Sequence, residues 1–154
     1  MELRRFRVTD TPALIELFRN TVHTVCGRDY SAEHLAVWAP EDIDVEKWSK
    51  RFSATYTVIA ENKNQILGFA NLETYGCIDM LYVAASVQTK GIGTLLYKAL
   101  ENEARSRGLK RIYSDVSLTA RLFFKSKGFV IQKEYLKNIA DVAFPNAILE
   151  KILV

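Results

Sequence analysis

Between Ile78 and Leu96 the chain reads I-D-M-L-Y-V-A-A-S-V-Q-T-K-G-I-G-T-L-L. Gly91 and Gly93 stand where a helical period begins, with Ile92, Leu95, Leu96, Ala99 and Leu100 on one face. A glycine in a helix costs roughly 1 kcal/mol relative to alanine, so two in one first turn call for a reason. Backbone access is one. Without a Cβ, the unpaired N–H groups and positive dipole end of a helix start can touch a large anion, and a phosphate suits both. Lys90 adds a positive charge at the mouth. A glycine-rich strand-to-helix turn with no ligand remains the alternative, because short glycine motifs are weak signals. No G-K-[S/T] follows, so this is not a Walker loop, and the glycines lack the Rossmann spacing.

Other reactive side chains are few. Asp79 interrupts the apolar run C-I-D-M-L, and a buried charge is costly enough to need a function or a partner. It either faces the chemistry, faces solvent or pairs with a nearby cation. His23 lies on the polar side of a helix striped by Leu14, Leu17, Phe18, Val22 and Val25, and reads as structural. Trp38, before Ala39-Pro40, reads as a core anchor or pocket wall. With two histidines and no C-x-x-C, no metal site is expected. Cys26 and Cys77 lie in dissimilar contexts and read as unpaired thiols of a reduced, cytoplasmic protein.

The elements that must hold these residues follow from periodicity. A first strand spans 2–8. Thr11 caps a helix with Pro12 at its first position, ended by Gly27. A short helix over 32–37 stops before Pro40, and Asp44 caps another over 45–52. Three strands at 56–61, 65–73 and 77–84 form an antiparallel meander, the first turn using Asn62-Lys63-Asn64. The long helix after the glycines ends near Arg107-Gly108. A strand over 111–116, reached by that crossover, should lie parallel to the strand ending at Ala84. Ser117 or Thr119 caps a helix through Lys127, and strands over 130–136 and 147–153 close the chain. The order implies a mixed α/β sheet with helices on both faces, in one domain, 1–154.

Composition excludes several classes. Lys and Arg total 21 against 18 Asp and Glu, a net charge of +3, too mild to argue for nucleic acid. No apolar run reaches the about 18 residues of a membrane span, and M-E-L-R-R-F-R-V contains no apolar signal core.

The phrase Q-x-x-G-x-G at Gln88, Gly91 and Gly93, directly after Leu81 and Val83, resembles the acetyl-CoA signature of the GCN5-related N-acetyltransferase (GNAT) superfamily. Ser117-x-x-Ala120-x-x-Phe123-Phe124-x-x-x-Gly128-Phe129 is similar to that family's N-x-x-A-x-x-L-Y-x-x-x-G-F element. His23 and Tyr30, with A-V-W-A-P at 36–40, resemble a subgroup of bacterial acetyltransferases related to the protein called YafP. The likeness covers essentially the whole chain. It implies an α+β fold with a mostly antiparallel central sheet of about seven strands, whose parallel pair splays at a cofactor cleft.

It also implies acetyl transfer from acetyl-CoA to an amine of a small molecule or peptide, by a monomer or homodimer needing no metal, nucleic acid or membrane. Main-chain groups of Leu81, Tyr82 and Val83 would hold the pantetheine arm and polarise the thioester. N–H groups of Gln88, Thr89, Lys90, Gly91, Ile92, Gly93 and Thr94, with the Thr94 hydroxyl, would hold the pyrophosphate. Two positions depart from the pattern. The usual acid, a tyrosine, is replaced by Phe124, which has no proton to give and is expected to wall the thioester end of the pantetheine. The usual Asn is Ser117, shorter but still a hydrogen-bonding residue. Tyr82, Tyr113 and Tyr30 are alternative acids, and Glu73 and Asp79 the carboxylates nearest the implied cleft. Segments 28–44 and 138–145 are expected to be acceptor-selecting loops. A non-catalytic acyl-CoA-binding regulator is the alternative function. A flavodoxin-like nucleotide binder fits less well, because the meander breaks βα alternation.

Overall fold

A computed structural model describes all residues, 1–154. In chain order, its elements are β1 (Glu2–Arg5), α1 (Thr11–Thr24), α2 (Ala32–Trp38), α3 (Val45–Ser53), β2 (Tyr56–Asn62), β3 (Gln65–Leu72), β4 (Ile78–Val83), α4 (Ile92–Ser106), β5 (Arg111–Ser117), α5 (Arg121–Ser126), β6 (Val130–Ile139) and β7 (Val142–Ile152). Single 3₁₀ turns precede α1, α2 and α4.

The seven strands divide into a four-stranded sheet, β1-β2-β3-β4, and a three-stranded one, β5-β7-β6, with every ladder antiparallel. One parallel bridge, Cys77 to Tyr113, joins them. The expected parallel pair therefore exists only at its foot, and the strands splay above it.

Strand alternation builds a core on each face of the first sheet. From β2, Val58 and Ala60 point toward α4, beside Leu96 and Leu100, whereas Ile59 joins Leu14, Phe18, Leu35 and Phe52 from α1, α2 and α3. In β3, Ala70 and Leu72 face the first core and Phe69 the second. This places helices on both faces, as the element order implied.

Local corrections have local causes. Asp10, not Thr11, is the N-cap residue of α1. Its carboxylate pairs with Arg4 at 2.8 Å and accepts the Arg7 N–H at 2.8 Å, while the Thr11 hydroxyl turns back to the Val8 carbonyl. α1 ends at Thr24 rather than Gly27, which falls inside the following 3₁₀ turn Cys26–Arg28. α5 starts after Ala120, and the Ser117 hydroxyl accepts the Ala120 N–H at 3.3 Å instead of capping a longer helix. The largest difference is at 138–145. This segment is the end of the β6–β7 hairpin, turned by Ala140 and Asp141 with φ of 49° and 63°. The pair lacks the usual Asn-Gly signal of such a two-residue turn. β6 is an edge strand with little burial alternation, so periodicity stopped short of its end.

Candidate active site

The wedge between the sheets opens into a cavity of about 1100 Å³. Its foot is pinned by Tyr113 N–H donating to the Gly76 carbonyl at 3.0 Å and the Ser114 hydroxyl donating to the Ile78 carbonyl at 2.7 Å. Past that point β5 no longer pairs with β4. The Ala84 N–H donates to Leu67 of β3 at 2.8 Å, so alternation turns the main chain of Leu81 and Val83 the other way, toward the wedge. The Val83 carbonyl is taken by the Thr21 hydroxyl at 3.0 Å and the Gln88 amide at 2.6 Å. The Gln88 side chain thus ties the turn to the strand end, while Leu81 keeps both main-chain groups on the open side.

The first turn of α4 lines the same cavity. Gly91, at φ 80°, is its left-handed N-cap residue and makes no side-chain cap. The first intrahelical bond there is Leu95 N–H to the Gly91 carbonyl at 3.1 Å, which leaves the N–H groups of Ile92, Gly93 and Thr94 without helical partners. A Cβ on Gly93 would stand 3.3 Å from the Phe123 ring, so this position keeps the floor of the turn clear. Ile92 is buried and anchors the turn.

Of the proposed cofactor residues, Leu81, Tyr82, Val83, Gln88, Thr89, Gly91, Ile92, Gly93, Thr94, Ser117 and Phe124 all line this one cavity. Lys90 is exposed and is not part of the wall. Lys127, which sequence reasoning missed, instead brings its ammonium 2.7 Å from the Thr94 hydroxyl. That hydroxyl accepts from Lys127 and keeps its own hydrogen free to donate. Its only sequence signal is its place beside Gly128 at the end of a short helix. Phe124 is 4% exposed, on the cavity wall, and packs against Phe123 and Phe129 at 5.5 and 5.1 Å between centroids.

The candidate catalytic groups are spread more widely. Asp79 is on the wall. One of its oxygens accepts from Arg51 Nε at 2.7 Å and Asn71 Nδ2 at 2.8 Å, and the other accepts from Arg51 Nη2. The nearby-cation alternative for this strand carboxylate is therefore the observed pairing, and Asp79 raises the Arg51 pKa. Arg51 carried no sequence signal, being 28 residues away from its partner. Glu73 lies just past β3, exposed and off the wall. Desolvation, and then the charge of Asp79, push its carboxyl above the ordinary value.

Tyr82 lines the cavity, packs edge-on to Phe18 at 5.0 Å, and has its phenol pushed up by burial. Tyr30 also lines the cavity, but its hydroxyl accepts the Leu118 N–H at 2.8 Å and donates to the Pro145 carbonyl at 3.4 Å. Burial pushes its pKa up as well. Tyr113 is off the wall, its ring covered by Arg111 at 4.4 Å. His23 contacts the Ala39 carbonyl at 2.8 Å through Nε2 and ties α1 to the end of α2. No group of three or more His, Cys, Asp or Glu side chains is gathered as a metal centre would need, and no helix is long and apolar enough to cross a membrane.

Residues 26–138 match the family model described as the acetyltransferase (GNAT) domain. The chain belongs to the GNAT acetyltransferases. Among solved structures, it is similar to a GCN5-related N-acetyltransferase from Rhodopseudomonas palustris, with 31% identity, a TM-score of 0.94, and 99% of this chain and 95% of that one covered. The PaiA N-acetyltransferase of Thermoplasma acidophilum, solved with coenzyme A, shares the fold at 20% identity and a TM-score of 0.81, covering 99% and 98%. YncA of Salmonella typhimurium, described as a putative acetyltransferase and solved with acetyl-CoA, does so at 17% and 0.76, covering 100% and 94%. In this GNAT chain, the splayed strands and the glycine-relieved helix start meet in one cavity.

Proposed function

We propose that this GNAT domain, residues 1–154, moves an acetyl group from acetyl-CoA to an amine of a small molecule or peptide. The supporting observation is the meeting of two donor sets in one cavity: the open main chain of β4 and the unpartnered N–H groups of α4. The residues fit the cofactor. Ile92, Gly93 and Thr94 present N–H groups to a pyrophosphate, with the Thr94 hydroxyl and the Lys127 charge alongside. Leu81, Tyr82 and Val83 line the pantetheine arm, and the open Leu81 main chain, with the Val83 N–H, bonds its amides. Ser117 and Phe124 close the β5 side.

Bound acetyl-CoA supplies an acyl thioester. The chain's part is then positioning, drying and charge stabilisation. A main-chain N–H of β4 polarises the thioester oxygen. Phe124 keeps water away from it, which strengthens that polarisation. Asp79, held by Arg51 and Asn71, faces the acceptor side and takes the proton of the incoming ammonium, with Glu73 behind it toward solvent. Tyr82 donates a hydrogen bond to the departing thiolate. Its disfavoured anion makes it a better hydrogen-bond donor than a full proton source. Tyr30, engaged at both ends, acts by positioning the start of α5 against β7.

We further propose a cytoplasmic protein, monomeric or homodimeric, of the YafP-related subgroup. The test is release of free thiol from acetyl-CoA across an amine panel, alongside thermal shift with CoA. CoA stabilisation with amine-dependent thiol release is the expected result. Stabilisation without turnover for any amine would favour the regulatory alternative, which the missing hydroxyl at Phe124 suggests.

A further inference from the structure

The cavity has two chemically different ends. Leu81, Val83, Val87 and Phe123, with Ile92 and Phe124, pack with the α4-side core. Phe18, Tyr30, Trp38, Trp48, Tyr82 and Phe144 line the same cavity but pack with the core beneath α1, α2 and α3. Six aromatic residues from six parts of the chain thus converge on the acceptor end, among them both of the chain's tryptophans. They form two groups of contacting rings. In one, Phe18 stands 4.9 Å from Trp48 and 5.0 Å from Tyr82. In the other, Tyr30 stands 5.3 Å from Trp38 and 5.9 Å from Phe144. Trp38, Trp48 and Tyr82 are only partly buried, so each keeps ring surface for a ligand.

Most of the charged side chains at this end have partners within the protein. Asp44 accepts the first N–H groups of α3 at 3.0 and 3.2 Å. Asp79 is held by Arg51, and Asp115 accepts from Tyr135, Lys137 and Asn146. Asp42 and Lys47, of opposite sign and both exposed, are the wall charges left without partners. A polycation entering here would meet the exposed carboxylates of Asp42 and the capping Asp44 set against the Lys47 ammonium. A flat apolar body would meet aromatic edges and faces.

We propose that the acceptor is a small primary arylalkylamine, its ring held among Trp38, Trp48 and Tyr82 and its nitrogen directed to the β4–β5 wedge beside Asp79. This deepens the acetyltransferase reading and rests on it. The nitrogen lone pair attacks the thioester carbonyl carbon, the C–N bond forms, and the C–S bond breaks with its electron pair on sulfur. Asp79 takes one proton from the incoming ammonium to free that lone pair and passes it to solvent, the second N–H proton leaves to solvent as the amide forms, and the thiolate takes a proton from solvent. Aromatic pairing of this kind favours phenethylamine, tyramine or tryptamine over butylamine by roughly ten-fold or more in kcat/KM.

The experiment measures thiol release with those three arylalkylamines, butylamine, spermidine and a lysine peptide. In parallel, tryptophan emission is followed on titrating phenethylamine into CoA-saturated protein. Both emitters lie at the acceptor end, so binding there should change the signal at concentrations near the KM. Trp38→Ala and Trp48→Ala should raise the arylalkylamine KM while keeping the CoA-induced thermal shift. Trp38→Phe and Trp48→Phe should restore most of the loss if either alanine variant folds poorly. Preference for spermidine, the peptide or butylamine, with CoA stabilisation intact, overturns this inference and leaves the acetyltransferase reading standing. Absence of both CoA stabilisation and thiol release overturns the two together.

Discussion

Gly93→Glu is the sharpest probe of how the helix start is used. The substitution brings a Cβ 3.3 Å from the Phe123 ring and a carboxylate to the mouth of a site read as holding pyrophosphate. Three N–H groups, of Ile92, Gly93 and Thr94, are available to phosphate oxygens. A hydrogen bond to a charged group contributes about 1.5–3 kcal/mol. Blocking two of them removes about 3–6 kcal/mol, a loss of roughly 10²–10⁴-fold in affinity. With CoA at about 100 times its Kd, the parent protein gains about 2.7 kcal/mol, or about 5–11 °C in Tm for a domain of this size. The variant, with CoA at or below its new Kd, gains at most about 0.4 kcal/mol and less than about 2 °C. Differential scanning fluorimetry with and without CoA reads the difference. Gly91→Ala is the companion. Its φ of 80° strains an L side chain, yet its Cβ meets nothing within 4 Å. Its Tm without ligand should therefore fall by about 2–8 °C, with a CoA shift of nearly parental size on top. A full CoA shift in a well-folded Gly93→Glu protein would refute the assignment of phosphate to α4.

Phe124→Tyr places a hydroxyl at a site 4% exposed. If Phe124 serves only as core, Tm drops with kinetics unchanged, because an unpaired buried hydroxyl costs about 1–3 kcal/mol. If it walls the thioester and no other group supplies the proton, turnover rises toward the roughly 10²-fold or more of general acid catalysis; if Tyr82, Tyr113 or Tyr30 already supplies it, Phe124→Tyr is nearly silent and the matching Tyr→Phe slows the reaction, and stopped-flow thiol release separates the outcomes. Lys127→Ala should weaken CoA about ten-fold by calorimetry while sparing the amine KM, because its ammonium reaches the Thr94 hydroxyl and not the acceptor end. Glu101 is pushed up by desolvation, but hydrogen bonds from Lys151, Tyr97 and Arg105 outweigh this and hold it down to about 2, against an ordinary 4.5. Its stabilising contribution is therefore present above about 4.5 and lost as pH falls toward 2. Glu101→Gln should lower Tm at neutral pH and flatten the Tm profile across that acid window.

What the sequence determined by itself was local. The glycine pair after an apolar strand, the Asp44 cap, the Asn62–Asn64 turn and the helical stripe from Ile92 to Leu100 rest on propensities and periods that act within a few residues. All reappear in the structure. The turn proposed to hold the cofactor could be picked out for the same reason, because Gln88 to Thr94 is continuous in the chain.

The tertiary structure decided what depends on approach between distant segments. Periodicity could not show that Asp79 is gripped by Arg51, since the pair joins α3 to β4 across 28 residues of chain. Nor could it show that the Tyr30 hydroxyl is engaged by Leu118 and Pro145, residues about a hundred positions further on. The β6–β7 hairpin reached past its expected end because an edge strand has weak burial alternation, and its turn uses Ala140-Asp141 rather than a glycine signal. Lys127 met Thr94, and both tryptophans met one cavity, only once the two sheets had packed. Burial and pairing are properties of the surroundings, and those surroundings are assembled from parts of the chain that share no local pattern.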